Sequence, residues 1–169
     1  MEPQAQQTLF GQTPFFQTFS PQELEDVLRV AEVVEIDAGR SIITEGRSDR
    51  VLYFLLRGRA RVYNSLRPEI TLGVFHPGMM FGEIAFFRGT RRTANVVAEE
   101  YSTLLRLTPE GFRGLPAASR EKFHENIILL LIDRVLPLND AIKYLHAMHQ
   151  DTLTPHYFDG RLKRWMGDV

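Results

Sequence analysis

Between Val33 and Leu107 the apolar residues come in short runs, "VVEI", "SIIT", "VLYFLL", "RARVY", "ITLGVF", "ANVVAE" and "TLLRL", separated by polar residues and by Gly39, Gly46, Gly58, Pro77 and Gly78. Short runs with turn residues between them predict strands, and no helical run separates successive strands as a parallel sheet would need. The pattern therefore calls for a mainly β domain, a jelly roll or a comparable antiparallel barrel. In "RARVYNSLRPEITLGVF" two strands flank a polar, proline-containing connection, which predicts a β-hairpin. On either side of this region the period changes to that of a helix. Ser20 as N-cap, Pro21 at the first helical position and Glu23 closing a capping box start one helix. Its positions Leu24, Val27, Leu28 and Ala31 form an apolar face, with Glu25, Asp26 and Arg29 expected in water. Thr108 and Pro109 start another helix, and "SREKFHENIILLLIDRVLPLNDAIKYLHAMHQ" a much longer one. Pro137 is expected to end or kink it near Leu136, because proline lacks a donor and clashes with the preceding turn.

This pattern divides the chain into a lead, residues 1–14, expected to be mobile, a domain over 15–148, and a tail over 149–169. Phe15, Phe16 and Phe19 are expected to cover the body of the domain. The tail holds turn signals at Thr154-Pro155 and Asp159-Gly160 and a short amphipathic end with Trp165, to which no function attaches. The 169 residues include no cysteine, so disulfides, thiolate metal sites and a cysteine nucleophile are excluded and a reducing, cytoplasmic setting is expected. The most apolar run, "NIILLLIDRVL", is broken by Asp133 and Arg134 well short of the ~20 residues of a membrane span. With 20 basic and 21 acidic residues the net charge is −1, which argues against a globally basic nucleic-acid binder.

One stretch does not read as core. In "FGEIAFFRGTRRTA", residues 81–94, a strand-like "MMF" gives way to Gly82 and Glu83 and then to "IAFF", a plausible single helical turn. The start of such a turn offers unpaired backbone amides to an anion, and Gly82 lets the backbone come close to it. Nine positions after Glu83, Arg92 carries a planar guanidinium that can grip two phosphate oxygens, and Thr93 adds a hydroxyl. Glu83 cannot be a phosphate ligand by charge and fits instead as the acceptor for a ribose hydroxyl. Together these residues describe a nucleotide with one buried phosphate charge and a free 2′-hydroxyl. Arg88 and Arg91 read as solvated charges that raise the local positive potential.

Phe81-Gly82-Glu83, the interval to Arg92 and the closing Thr93-Ala94 resemble the phosphate-binding cassette of the cyclic nucleotide-binding domain family, to which catabolite activator protein, protein kinase A regulatory subunits and cyclic-nucleotide-gated channels belong. The resemblance runs over about residues 15–148, through "IDAGRSIITEG", "VLYFLLRGRARVY" and "HPGMMFGE". It implies an eight-stranded antiparallel jelly-roll barrel with an N-terminal helix and C-terminal helices, interrupted only by the cassette. It also implies that Phe81, Gly82, Glu83, Ile84, Ala85, Arg91, Arg92, Thr93 and Ala94 form the ligand site, with cAMP or cGMP as ligand and no metal. Glu83 would take the ribose 2′-hydroxyl, Arg92 the cyclic phosphate and Thr93 the phosphate or the base. Arg91 departs from the family pattern, where many members have proline, and this bears on loop rigidity. Thr93 recurs in members that prefer cyclic GMP but does not decide the base.

The expected protein is a sensor rather than an enzyme, coupling the ligand to its C-terminal helices. Ile127, Leu130, Leu131, Arg134, Val135 and Leu138 suit either a lid over the barrel, where the family resemblance implies a residue such as Tyr144 or Leu145 over the base, or a seam with a second copy or a partner protein. The residues after Gln150 are too few for a winged helix-turn-helix, so no DNA-binding domain is expected in the chain. Two alternatives compete: a barrel scaffold without ligand that docks partners, and a metal-dependent barrel enzyme. Against the second, only His76 lies in the β region, and His146 and His149 with Asp151 or His156 read as ordinary surface residues.

Overall fold

The computed structural model describes Phe10 and residues 13–148, with side chains as far as Leu145. The expectations for the lead up to residue 9, for the tail from residue 149 and for the His146 side chain lie outside the described residues. The chain divides into two compact units, Met1–Ile127 and Ile128–Val169.

The first unit begins with a 3₁₀ turn, Pro14–Phe16, and helix α1, Pro21–Val30. Eight strands follow: β1 Glu32–Ile36, β2 Ser41–Ile43, β3 Leu52–Arg57, β4 Ala60–Asn64, β5 Arg67–Phe75, β6 Met80–Phe81, β7 Asn95–Ala98 and β8 Ser102–Leu107. Helix α2, Glu83–Arg88, is inserted between β6 and β7; α3, Pro109–Gly114, and α4, Ala117–Met148, come after β8. The strands form two four-stranded antiparallel sheets in the orders β1-β8-β3-β6 and β2-β7-β4-β5, the jelly roll expected from the strand spacing.

Ile43, Val51, Tyr53, Leu55, Ala60, Phe81, Val96 and Leu104 make up the buried core of the barrel. The run "VLYFLL" does not alternate because β3 is buried on both faces. Its Phe54 meets Phe15, Phe16 and Phe123 with ring centroids 4.8, 4.9 and 5.9 Å apart, so the aromatics before α1 are packing residues, as expected. The β4–β5 connection is tighter than its composition suggests. Only Ser65 and Leu66 lie between the strands, and Pro68 falls inside β5. Proline is tolerated there because β5 is the last strand of its sheet and lacks a partner on one side.

The caps follow the sequence. Ser20 Oγ accepts from the Glu23 amide at 3.3 Å, and Glu23 Oε2 accepts from the Ser20 amide at 2.7 Å and from Lys122 Nζ at 2.9 Å. Thr108 Oγ1 accepts from the Gly111 amide at 3.1 Å to start α3. Asp26 departs from expectation. It is 7% exposed rather than in water, because α4 packs there and Ser119 Oγ donates to its carboxylate at 2.9 Å. Lys122 and the Ser20 amide hold the Glu23 carboxyl below its ordinary value of 4.5. A group depressed on folding stabilises fully above its unfolded pKa and loses that contribution as pH falls through the folded one. Glu23→Gln should therefore be less stable than the parent at neutral pH, by urea denaturation, with the gap closing as pH drops below about 4.5.

The long helix does not end at Pro137; α4 continues to Met148 with the proline inside it. The proline costs one backbone hydrogen bond, and on a stretch as exposed as Val135–Leu138 water can satisfy the released carbonyl. Within the second unit Leu129, Ile132, Leu136, Ile142 and Tyr144 are all exposed. Among the described residues no helix is long and apolar enough to cross a membrane.

Candidate functional site

The segment from β6 to β7 is built around two left-handed glycines. Gly82, at φ +85°, precedes α2, and Gly89, at φ +67°, closes it. Between them the six-residue helix is somewhat longer than the single turn expected. No side chain caps its amino end. At the other end Arg50 Nη2 donates to the Phe86 carbonyl at 2.9 Å, taking up a terminal acceptor. Gly82 is required for a second reason. A Cβ there would lie 2.7 Å from Arg92 Nη1 and 2.8 Å from the Val51 carbonyl oxygen. The close approach that the sequence suggested for an anion is thus, in the folded chain, also an approach to Arg92.

Arg92 is 4% exposed and its guanidinium is held on several sides. Nε and Nη2 donate to Asp49 Oδ2 at 3.1 and 2.5 Å, Nη2 also to the Val51 carbonyl at 2.8 Å, and Nη1 to the Gly82 carbonyl at 3.1 Å. The backbone is tied down as well: Gly46 N–H donates to the Arg92 carbonyl at 2.9 Å and Arg92 N–H to the Arg47 carbonyl at 2.8 Å. The fork expected to grip two phosphate oxygens is directed at Asp49 instead. Of the five guanidinium N–H groups four serve these contacts, which leaves one on Nη1 for another acceptor.

A cavity of about 140 Å³ opens beside Arg92. Phe81, Gly82, Glu83, Ile84 and Ala85 border it from β6 and α2, and Arg92, Thr93 and Ala94 from the segment leading into β7. Eight of the nine candidate residues are thereby brought together. Arg91 is not among them. It is exposed, donates through Nη1 to the Gly46 carbonyl at 3.0 Å, and borders a separate surface depression with Arg47, Ser48 and Asp49. The remaining border, Ile43, Val62, Phe75 and Val96, was not singled out from the sequence. Its only signal was strand alternation, which does not say which inward positions meet a ligand. Asp49 and Val51, the partners of Arg92, had no signal at all.

Two further groups shape the surroundings. Glu45 accepts from the Ser65 amide at 2.6 Å and from Asn64 and Asn95 at 3.3 Å each, fastening the β4–β5 turn beside the start of β7. The Ser65 amide and hydroxyl hold the Glu45 carboxyl below its ordinary range. Burial pushes the Tyr53 phenol up. Arg92 lies over the Tyr53 ring, 6.0 Å from its centroid. The site therefore combines a fixed, buried positive charge, the partly buried Glu83 carboxylate and an apolar wall.

Comparison with known proteins bears on this arrangement. A family model described as the cyclic nucleotide-binding domain matches residues 33–119. The cyclic AMP receptor protein of Thermus thermophilus is 29% identical over 105 residues, covering 61% of this chain and 49% of that protein. Glutaminase 2 of Bradyrhizobium diazoefficiens is 27% identical over 140 residues, covering 81% of this chain and 22% of that enzyme. The chain thus spans about half or less of the length of these curated relatives. Among solved structures, the catabolite activator protein of Thermus thermophilus superposes with a TM-score of 0.68 at 26% identity, covering 78% of this chain and 62% of the other.

Proposed function

Because this chain belongs to the cyclic nucleotide-binding domain family, we propose that it is a non-enzymatic sensor whose cavity takes cAMP or cGMP and whose C-terminal helices pass the signal on. The observation that carries the reading is Arg92, a buried guanidinium bordering the cavity together with Glu83. Asp49 already balances the Arg92 charge, so what Arg92 offers an anion at the cavity is the one guanidinium N–H on Nη1 that the protein does not use, a charge-assisted donor. The Nη1 N–H not used by the protein meets a cyclic phosphate oxygen, and the amino end of α2 adds partial positive charge. Glu83 accepts from the ribose 2′-hydroxyl, while Ile84, Ala85 and Ala94 lie along the sugar–phosphate and Thr93 reaches phosphate or base. Phe81 supports the cassette from β6. Arg91, outside the cavity, contributes potential that draws the anionic ligand in rather than a contact.

The cavity of about 140 Å³ is smaller than the ~300 Å³ at the low end of small-molecule sites, so the sugar–phosphate fills it and the base lies toward its mouth. The name of the cyclic AMP receptor protein favours cAMP, and nothing in the border excludes cGMP. Binding can shift the C-terminal helices only as far as the ligand prefers one of their arrangements. The readout then falls to a second copy or to a partner protein. The likeness to glutaminase 2 covers a small part of that enzyme and gives no reason to assign its reaction to this chain.

Calorimetric titration of nucleotide-stripped protein with cAMP and with cGMP tests the reading. The expected result is a saturable one-site isotherm with at least one of them. No heat and no protection against thermal unfolding up to millimolar ligand would sink the proposal.

A further inference from the structure

The β2–β3 loop and the segment from the end of α2 to β7 lie against each other. The Gly46 N–H donates to the Arg92 carbonyl at 2.9 Å, the Arg92 N–H to the Arg47 carbonyl at 2.8 Å, and Arg91 Nη1 to the Gly46 carbonyl at 3.0 Å. Arg50 reaches across in the same way, with Nη2 donating to the Phe86 carbonyl at 2.9 Å. The join brings together residues 45–50 and 88–92, which hold five arginines and two carboxylates in a chain whose net charge is −1. Both carboxylates are already taken. Asp49 is paired with the buried Arg92, and Glu45 accepts from Ser65, Asn64 and Asn95. Arg47, Arg50, Arg88 and Arg91 are exposed, and among the described residues no salt bridge ties them to a carboxylate.

We propose that this surface, outside the cavity, docks a carboxylate-rich segment of a partner protein. It stands apart from the cyclic-nucleotide site and needs no ligand there. Guanidinium forks fit carboxylates two oxygens at a time, and backbone hydrogen bonds between the two loops fix the frame that carries them. Positive charge without a counter-charge also steers an acidic partner to the surface. The depression there is bordered by Glu45, Gly46, Arg47, Ser48, Asp49 and Arg91, with no apolar side chain to enter a lipid surface. The exposed ring nearest in the chain, Phe87, lies against Phe112 and His124, with centroids 6.2 and 6.4 Å away. A nucleic acid would call for a longer basic stripe than two loops provide, without carboxylates inside it.

The test is fluorescence anisotropy of a labelled oligoglutamate peptide titrated with the full, nucleotide-free chain. Oligoglutamine, vesicles of phosphatidylcholine and phosphatidylglycerol, and a short DNA duplex are the other probes. The double variant Arg47→Gln, Arg88→Gln removes two of the charges and leaves the hydrogen bonds of Arg50, Arg91 and Arg92 in place. Arg40→Gln, Arg57→Gln removes the same charge from exposed positions at the far ends of β2 and β3, and thermal unfolding checks the fold of both. Two exposed ion pairs together amount to roughly fivefold in affinity. The parent should bind oligoglutamate and not oligoglutamine, more weakly as salt is raised. The first variant should bind about fivefold more weakly and the second within about twofold of the parent. An unchanged affinity in the first variant, equal losses in both, or no binding of oligoglutamate by the parent overturns the proposal, as does tighter binding of the vesicles or the duplex than of the peptide.

Discussion

Arg92→Ala is expected to weaken binding of cAMP or cGMP at least tenfold and to lower the stability of the free protein by a few kcal/mol. Loss of a hydrogen bond to a charged group costs about 1.5–3 kcal/mol, and each 1.4 kcal/mol is a factor of ten in affinity. The stability loss has a separate origin. Removing one partner from a buried ion pair costs about 3–5 kcal/mol, and because the Asp49 side chain is 42% exposed the cost here falls below that range. The Gly82 and Val51 carbonyls lose their donor as well. Since an unstable variant can fail to bind for trivial reasons, the titration is made where circular dichroism shows Arg92→Ala to be folded. Arg92→Lys separates the effects. It keeps a positive charge, but one ammonium cannot reach Asp49, Val51 and Gly82 together, so it should recover part of the stability and little of the affinity. Parent-like affinity in the alanine variant would remove Arg92 from the site.

Gly82→Ala should damage the fold and the site at once. At φ +85° an alanine pays about 1–2 kcal/mol for the left-handed backbone alone. Its Cβ would also sit 2.8 Å from the Val51 carbonyl oxygen, a backbone atom with little room to retreat, and 2.7 Å from Arg92 Nη1. Moving either disturbs the contacts that aim Arg92, so affinity should fall together with stability. Urea denaturation and the cyclic nucleotide titration read the two effects. Gly73→Ala is the matched control: a Cβ there meets nothing within 4 Å, and its stability should stay within about 0.5 kcal/mol of the parent. An alanine at 82 that left both stability and binding unchanged would contradict the geometry described around Arg92.

The helix starts at Ser20 and Thr108, the strand runs and the cassette were legible because each is encoded by residues close together in the chain. A capping box spans four positions, strand alternation a handful, and Glu83 and Arg92 are separated by one short helix and a turn. The sequence reading erred where a residue's surroundings come from afar. Asp26 was expected in water, and its burial depends on Ser119, 93 positions away. Pro137 was expected to end or kink α4 near Leu136, and the helix does not end there but runs on to Met148, since a long helix in water can lose one hydrogen bond and continue.

The sequence by itself determined the class of fold, the place of the Gly82–Ala94 segment and the presence of the Glu83 carboxylate and the Arg92 guanidinium at the border of one cavity, since alternation, turn chemistry and short spacing act through local backbone preference. Only the tertiary structure decided that the fork of Arg92 is turned onto Asp49, 43 positions away, that Arg91 stands outside the cavity, and that Phe75 borders it. Those arrangements depend on which strands pair and in what register. In a barrel that register brings together side chains from β2, β4, β5 and β7, and no local pattern in any one of them records the neighbours it will have.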